Sequence, residues 1–250
     1  MLTKPYNKLN KMKKIYSICL LIATILIMVA CENDIDNYDA PNGGIYGTVI
    51  DEQTGEPVPF PVQGESGVMI SLTEIETGAT APITFRANQD GTYKNSKVFN
   101  GFYRITFGNS PLIGIAEDYV EIKGQTQFNI HALPFSRISI NASVSADNKV
   151  TVNYEVETTD PTFSLKNVQV MWNFAPGVDV NNANHATVAA KGSAATGSHV
   201  FELLNDREFV ENHYKIVANK NKIYIRVAAT TEVVSMSNTN YSKVIELTVN

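Results

Sequence analysis

The chain has 250 residues, 44% of them hydrophobic and only 18% charged, with a formal net charge of −5. That is ordinary for a globular protein of one or two domains and, with Thr, Asn, Ser and Val plentiful, suits β-rich extracellular modules more than cytosolic helical enzymes. Five lysines (Lys4, Lys8, Lys11, Lys13, Lys14) and no acid precede Cys31, so 15 basic residues face 25 acidic ones from there on, a balance that argues against nucleic acid as a partner. The cysteines are Cys19 and Cys31, which excludes a disulfide framework and a thiolate zinc site from the body of the protein.

In chain order, Lys13 and Lys14 precede an apolar run, Ile15 to Ala30, broken only by Ser17 and Thr24. Sixteen residues fall short of the roughly 20 a spanning helix needs and fit the apolar region of a secretory signal. Residues 1–30 are therefore expected to be a signal peptide. Met12-Lys13-Lys14 reads as a natural start, which leaves residues 1–11 as an upstream extension. The run ends in Met28-Val29-Ala30-Cys31, which resembles a bacterial lipobox with methionine where leucine is usual. That resemblance implies lipid attachment at Cys31 and a membrane held through acyl chains rather than a helix. Residues 31–42, with Glu32, Asp34, Asp36 and Asp39, read as a solvated tether. The acidic run is similar to the export signal of surface-exposed Bacteroidetes lipoproteins. Its spacing lacks the glycine and terminal glutamate of an EF-hand loop, so no metal is expected.

From Gly43 the chain alternates with period two between turn signals, the mark of an all-β sandwich. "GIYGTVID" places Ile45, Gly47 and Val49 on one face, and Thr54-Gly55 with Pro57 marks a turn. Val68, Ile70 and Leu72 share a face, and Asp90-Gly91 marks another turn. Tyr103, Ile105 and Phe107 oppose Phe102, Arg104 and Thr106. "PFPVQGESG" is too rich in proline and glycine to be a strand. The order Gly47-x-Val49-x-Asp51-x-x-Thr54-Gly55-Glu56-Pro57-Val58, then Asp90-Gly91-Thr92-Tyr93, then Gly101-Phe102-Tyr103-Arg104-Ile105 resembles the carboxypeptidase-regulatory-like, transthyretin-like sandwich. Residues 43–134 are expected to form this module, which in that family is an accessory domain without catalytic residues.

A second series follows: Ile138, Ile140, Ala142, Val144; then Val150, Val152, Tyr154, Val156; then Val168, Val170, Trp172, Phe174. Residues 175–198 read as a loop with a weak strand. Residues 205–215 are expected to form one short helix, capped by Asp206. Tyr224 to Ala229, a Ser/Asn loop and Ser242 to Thr248 resemble the last strands of a fibronectin type III or Ig-like sandwich, expected over residues 135–250. The fold class is therefore all-β, two tandem sandwiches. Signal, lipobox and modules together resemble an uncharacterised domain family of Bacteroidetes lipoproteins associated with starch-utilisation-like glycan-uptake systems, which implies an outer-membrane location facing the exterior.

No nucleophile elbow, H-E-x-x-H, P-loop or G-x-G-x-x-G occurs, and none of the four histidines is spaced as a metal pair. Asp90, Asp118, Asp147, Asp160 and Glu121 have the residue type of glycosidase carboxylates, but most sit where a turn wants aspartate. The expectation is a non-enzyme with no cofactor. A polysaccharide or oligosaccharide would need exposed aromatic faces beside polar groups. Candidates are Phe60, in a proline-stiffened loop, Phe102, opposite the apolar face of its strand, and Trp172, the single tryptophan, whose alternation points inward. The alternative is a structural or assembly subunit docking on outer-membrane transporter proteins or an adhesin.

Overall fold

The computed structural model describes residues 39–64, 67–108, 110–114, 117–232 and 239–250. The expected signal segment, Cys31 and most of the tether lie outside the described residues.

The N-terminal strands are β1 (Gly43–Asp51), β2 (Met69–Glu74), β3 (Ile83–Arg86), β4 (Thr92–Val98), β5 (Gly101–Gly108), β6 (Leu112–Ile113), β7 (Glu117–Ile122), β8 (Gln125–Gln127) and β9 (Ile130–Pro134). One sheet orders them β4-β1-β9-β6, with β8 also on β1, and the other orders them β3-β2-β5-β7. β1 pairs antiparallel with β4 but parallel with β8 and β9. The alternating faces meet as expected: Ile45, Val49, Ile70, Leu72, Tyr103 and Ile105 are buried in one core. The turn after β1 is built by Asp51, whose carbonyl accepts from Gly55 N–H at 2.8 Å and whose Oδ1 accepts from Gln53 N–H at 3.0 Å. Gly55 takes φ +75° there, the left-handed conformation that favours glycine.

The C-terminal strands are β10 (Ser136–Val144), β11 (Lys149–Thr158), β12 (Ser164–Asn173), β13 (Thr187–Ala190), β14 (Thr196–Glu202), β15 (Lys222–Glu232), β16 (Thr239–Tyr241) and β17 (Ile245–Thr248). They form a β10-β11-β14 sheet and a β13-β12-β15-β16 sheet with β17 also on β15. Val152, Val170, Trp172, Ile225 and Val227 lie in the core of this second sandwich. The expected single helix is instead two short ones, α1 (Arg207–Glu211) and α2 (His213–Ala218). Asp206 does cap the first, its Oδ1 accepting from Glu208 N–H at 2.9 Å. The break comes at Asn212, whose backbone leaves the helical region at φ −104°, ψ 12°; its own N–H and its side-chain amide both donate to Glu208 O, at 3.2 and 2.9 Å.

Residues 41–250 form one compact unit, and β15 shows why. Its buried run from Ile223 to Ala229 has no alternation because both its faces are covered. Ile223, Ile225 and Val227 face the second core. On the other face Tyr224 and Ala228 join Met171, Val178 and Tyr241, and among them lies Arg226, with no exposed surface. Its guanidinium donates to Ser242 O at 2.9 Å and Val178 O at 2.8 Å in its own sandwich. In the other it donates to Phe60 O at 2.7 Å and Gln89 O at 3.2 Å. The Tyr241 ring lies 4.6 Å from its Cζ. Burial pulls the Arg226 pKa down to about 10, so the group stays charged at neutral pH.

Replacing Arg226 strands the buried carbonyls of Ser242, Val178 and Phe60 at once and takes one of two donors from Gln89 O. Arg226→Met is expected to cost about 3–5 kcal/mol in urea unfolding and to resolve one cooperative transition into two. An unchanged single transition would refute the role given to this residue.

Candidate functional site

Of the three aromatic candidates, the structure opens one to solvent. Phe102 is 39% exposed, whereas Phe60 and Trp172 are 0% exposed. The expectation for Phe60 is corrected: its ring fills the first core, and its backbone is held to the chain by Gln89 O, which accepts its N–H at 3.1 Å. The loop has no periodic partner of its own because it packs beneath the second sandwich, where Val62 N–H also donates to Asp179 Oδ2 at 2.9 Å. Trp172 is likewise not a sugar platform. It sits in the second core, where its inward alternation puts it, and its indole N–H is taken by Asp206 Oδ2 at 3.0 Å.

Phe102 stands on the outer face of the β3-β2-β5-β7 sheet beside Tyr119, which is 47% exposed. The two rings are nearly parallel, 16° apart with centroids separated by 6.3 Å. Register explains the pairing. Phe102 lies opposite Glu121 and Arg104 opposite Tyr119, and residues directly opposite share a face, so both rings rise from adjacent strands on one surface. Thr73 continues the row on the far side of Arg104.

Polar groups flank the rings. The Tyr119 hydroxyl donates to Glu117 Oε1 at 2.9 Å, and Arg104 reaches the other oxygen of that carboxylate at 3.5 Å. The hydrogen bond to Glu117, with its negative charge, pushes the Tyr119 phenol above its ordinary value, so it stays neutral and donates. Glu121 holds Lys123 at 2.7 Å. Sequence alternation pointed to Phe102. Tyr119 was hidden in "EDYVEIKG", where only the pairing of β5 with β7 reveals that it joins Phe102.

A second recess lies where the two sandwiches meet. It has a volume of about 600 Å³ and is lined by Pro57, Pro59, Ile138, Ile140, Tyr241 and Ile245 among others. Two ion pairs bridge the modules at its rim: Arg137 to Asp51 Oδ1 at 2.9 Å, and Lys243 to Glu56 at 2.8 Å. Burial works upward on the Asp51 carboxyl, but hydrogen bonds from Arg137 and from Gln53 N–H, with the Arg137 charge, outweigh it and hold its pKa below the ordinary value.

The carboxylates singled out by residue type are spent locally. Asp90 Oδ1 accepts from Thr92 N–H at 3.0 Å, Asp160 Oδ1 from Thr162 N–H at 2.8 Å, Asp118 Oδ1 from Tyr119 N–H at 2.8 Å, and Asp147 Oδ1 from the Ser145 hydroxyl at 2.5 Å. Among the described residues, no group of three or more His, Cys, Asp or Glu side chains could hold a metal ion, and no helix is long and apolar enough to cross a membrane.

Two tandem β-sandwiches define the fold class of the protein. Residues 43–133 match the family model described as "Protein of unknown function (DUF3823) N-terminal domain". Among solved structures, a DUF3823 family protein from Parabacteroides merdae is 21% identical, with 84% of this chain and 100% of that one covered and a TM-score of 0.65. A "putative carbohydrate binding protein" from Bacteroides uniformis is 22% identical, with 84% and 100% covered and a TM-score of 0.66. A DUF3823 family protein from Bacteroides ovatus is 18% identical, with 83% and 99% covered and a TM-score of 0.65. At these identities the likeness is one of fold. No curated protein sequence matches the chain.

A carboxylate with a lowered folded pKa stabilises the fold above its unfolded value and loses that contribution as pH falls. The Asp51–Arg137 contribution is therefore expected to be complete at neutral pH and to fade below about pH 3.8, the ordinary aspartate value. Thermal melts of Asp51→Asn should lie below those of the unaltered protein at pH 7, with the gap narrowing as pH falls below about 3.8. A constant gap across that range would contradict the shift.

Proposed function

We propose that the protein is a lipid-anchored, non-catalytic glycan-binding component of the outer-membrane surface, working beside a polysaccharide-uptake system. The observation that carries this reading is the near-parallel, exposed Phe102–Tyr119 pair, flanked by Glu117, Arg104 and Glu121. Sugar C–H faces pack on aromatic rings, while hydroxyls need directed donors and acceptors, and this face offers both on one rigid sheet. The shared fold with the Bacteroides uniformis structure described as a putative carbohydrate binding protein supports the same reading. The lipobox-like end at Cys31 supports the anchor, and the acidic residues after it support an outward-facing location.

On affinity gels carrying a broad polysaccharide panel, the protein is expected to be retarded by at least one glycan. Phe102→Ala and Tyr119→Ala should each weaken binding about tenfold, or about 1.4 kcal/mol, without shifting the melting temperature. Failure to be retarded by any polysaccharide would overturn the reading. In cell fractionation, Cys31→Ala should move the protein from the membrane to the soluble fraction, and protease added to intact cells should degrade the unaltered protein. Persistence of Cys31→Ala at the membrane would rule out the lipid anchor.

A further inference from the structure

The recess between the modules runs along a sheet edge. Among the described residues β10 pairs with β11 alone, through nine consecutive residue pairs from Ser136–Thr158 to Val144–Val150 with no bulge. The ladder is bonded at its ends by Thr159 N–H on Phe135 O at 3.0 Å and Ser145 N–H on Lys149 O at 2.9 Å. An antiparallel ladder alternates residue by residue. The odd-numbered residues of β10 therefore turn their N–H and C=O groups to β11, and the even-numbered ones turn theirs away. Ser136 fits this pattern, its N–H donating sideways to Asn240 Oδ1 at 3.1 Å. Ile138 and Ile140 follow in the same sense, and both line the recess. Among the described residues no turn or loop hydrogen bond engages their main chains. The Ser136 hydroxyl, buried at the same end of the recess, also has no hydrogen-bond partner among the described residues.

An open edge invites another strand, and proteins usually blunt it with lysine, proline, a bulge or brevity. β10, "SRISINASV", has none of these over a length of about 30 Å. Its one charge, Arg137, is committed to Asp51.

We infer that this recess is a docking site for an extended segment of another protein, which adds to the β10 edge as a further strand and alternates apolar with lysine or arginine residues. Main-chain N–H and C=O groups repeating every second residue match those of Ile138 and Ile140, as in strand addition generally. Side chains entering on the inner face would meet Ile138, Ile140, Tyr241 and Ile245. On the outer face the neighbouring strand presents Glu155 and Glu157 beside Arg137 and Ser139, and the sequence from Cys31 onward is acidic. A basic partner is attracted by that field, whereas a second copy of this acidic chain is repelled.

The probe is an end-blocked nonapeptide of five lysines alternating with valine and isoleucine, set against an isomer with its four apolar residues grouped. Fluorescence anisotropy with the full chain should show the alternating peptide binding at least tenfold tighter. Ile140→Pro removes one outward N–H without touching the β10–β11 ladder and should weaken that binding at least tenfold. The double variant Glu155→Lys, Glu157→Lys should weaken it too. In the unaltered protein, the peptide should slow hydrogen exchange at the Ile138 and Ile140 amides, a readout independent of any variant's folding.

Equal binding of the two isomers, or unchanged exchange at both amides, would overturn the proposal. So would concentration-dependent dimerisation abolished by Ile140→Pro, which would make a second copy the occupant, or polysaccharide retention lost in that variant, which would make the recess a glycan site. The Phe102→Ala protein should still bind the peptide, and Ile140→Pro should still be retarded by the glycan, so either site can fail without the other.

Discussion

One guanidinium sets the relation between the two halves of the protein. Arg226 holds two carbonyls from each sandwich in a place from which water is excluded. A buried charge is costly unless its hydrogen-bonding groups are matched, and here the acceptors are main-chain dipoles from loops that could not otherwise meet. Phe60 shows the coupling most directly. Its ring belongs to the first core while its carbonyl belongs to the second module's arginine. The outer face of the β15 sheet, which would be a solvated surface in a free sandwich, is thereby turned into an interior.

The two candidate surfaces inherit different qualities from this arrangement. Phe102 and Tyr119 stand on paired strands of a sheet whose inner face is fully packed, so the rings are positioned by the scaffold rather than by a loop. The recess at β10 depends on the junction itself. Its walls come from both modules, and the Asp51–Arg137 and Glu56–Lys243 pairs that flank it link the turn after β1 to strands far along the chain. The same Asp51 that shapes its own turn through Gln53 and Gly55 also receives Arg137.

Alternation made most strands legible in the sequence, because a half-buried strand must repeat every second residue. Ile70 and Leu72, or Val168 and Val170, are read directly from it, and so is the outward turn of Phe102. What escaped is whatever depends on partners distant in sequence. Phe60 read as a loop aromatic because its burial comes from tertiary packing, not from its own segment. Tyr119 acquired meaning only through the register that sets it beside Arg104. The parallel pairing of β1 with β8 and β9 leaves no local trace, since neighbouring strands in the chain suggest hairpins. The helix at 207–218 was legible as a capped start, but its break turns on the non-helical backbone of one residue, Asn212, for which the sequence carries no proline or glycine signal.

The chain passes from β9 to β10 through a single residue, Phe135, which is buried with its ring 5.7 Å from that of Phe163. No stretch there is free to act as a linker. The pair is consequently a single heritable part rather than two exchangeable beads. A cut at this point would leave one half with Arg226 short of two of its acceptors and the other with the Phe60 carbonyl unclaimed, so neither half alone ends in a finished surface.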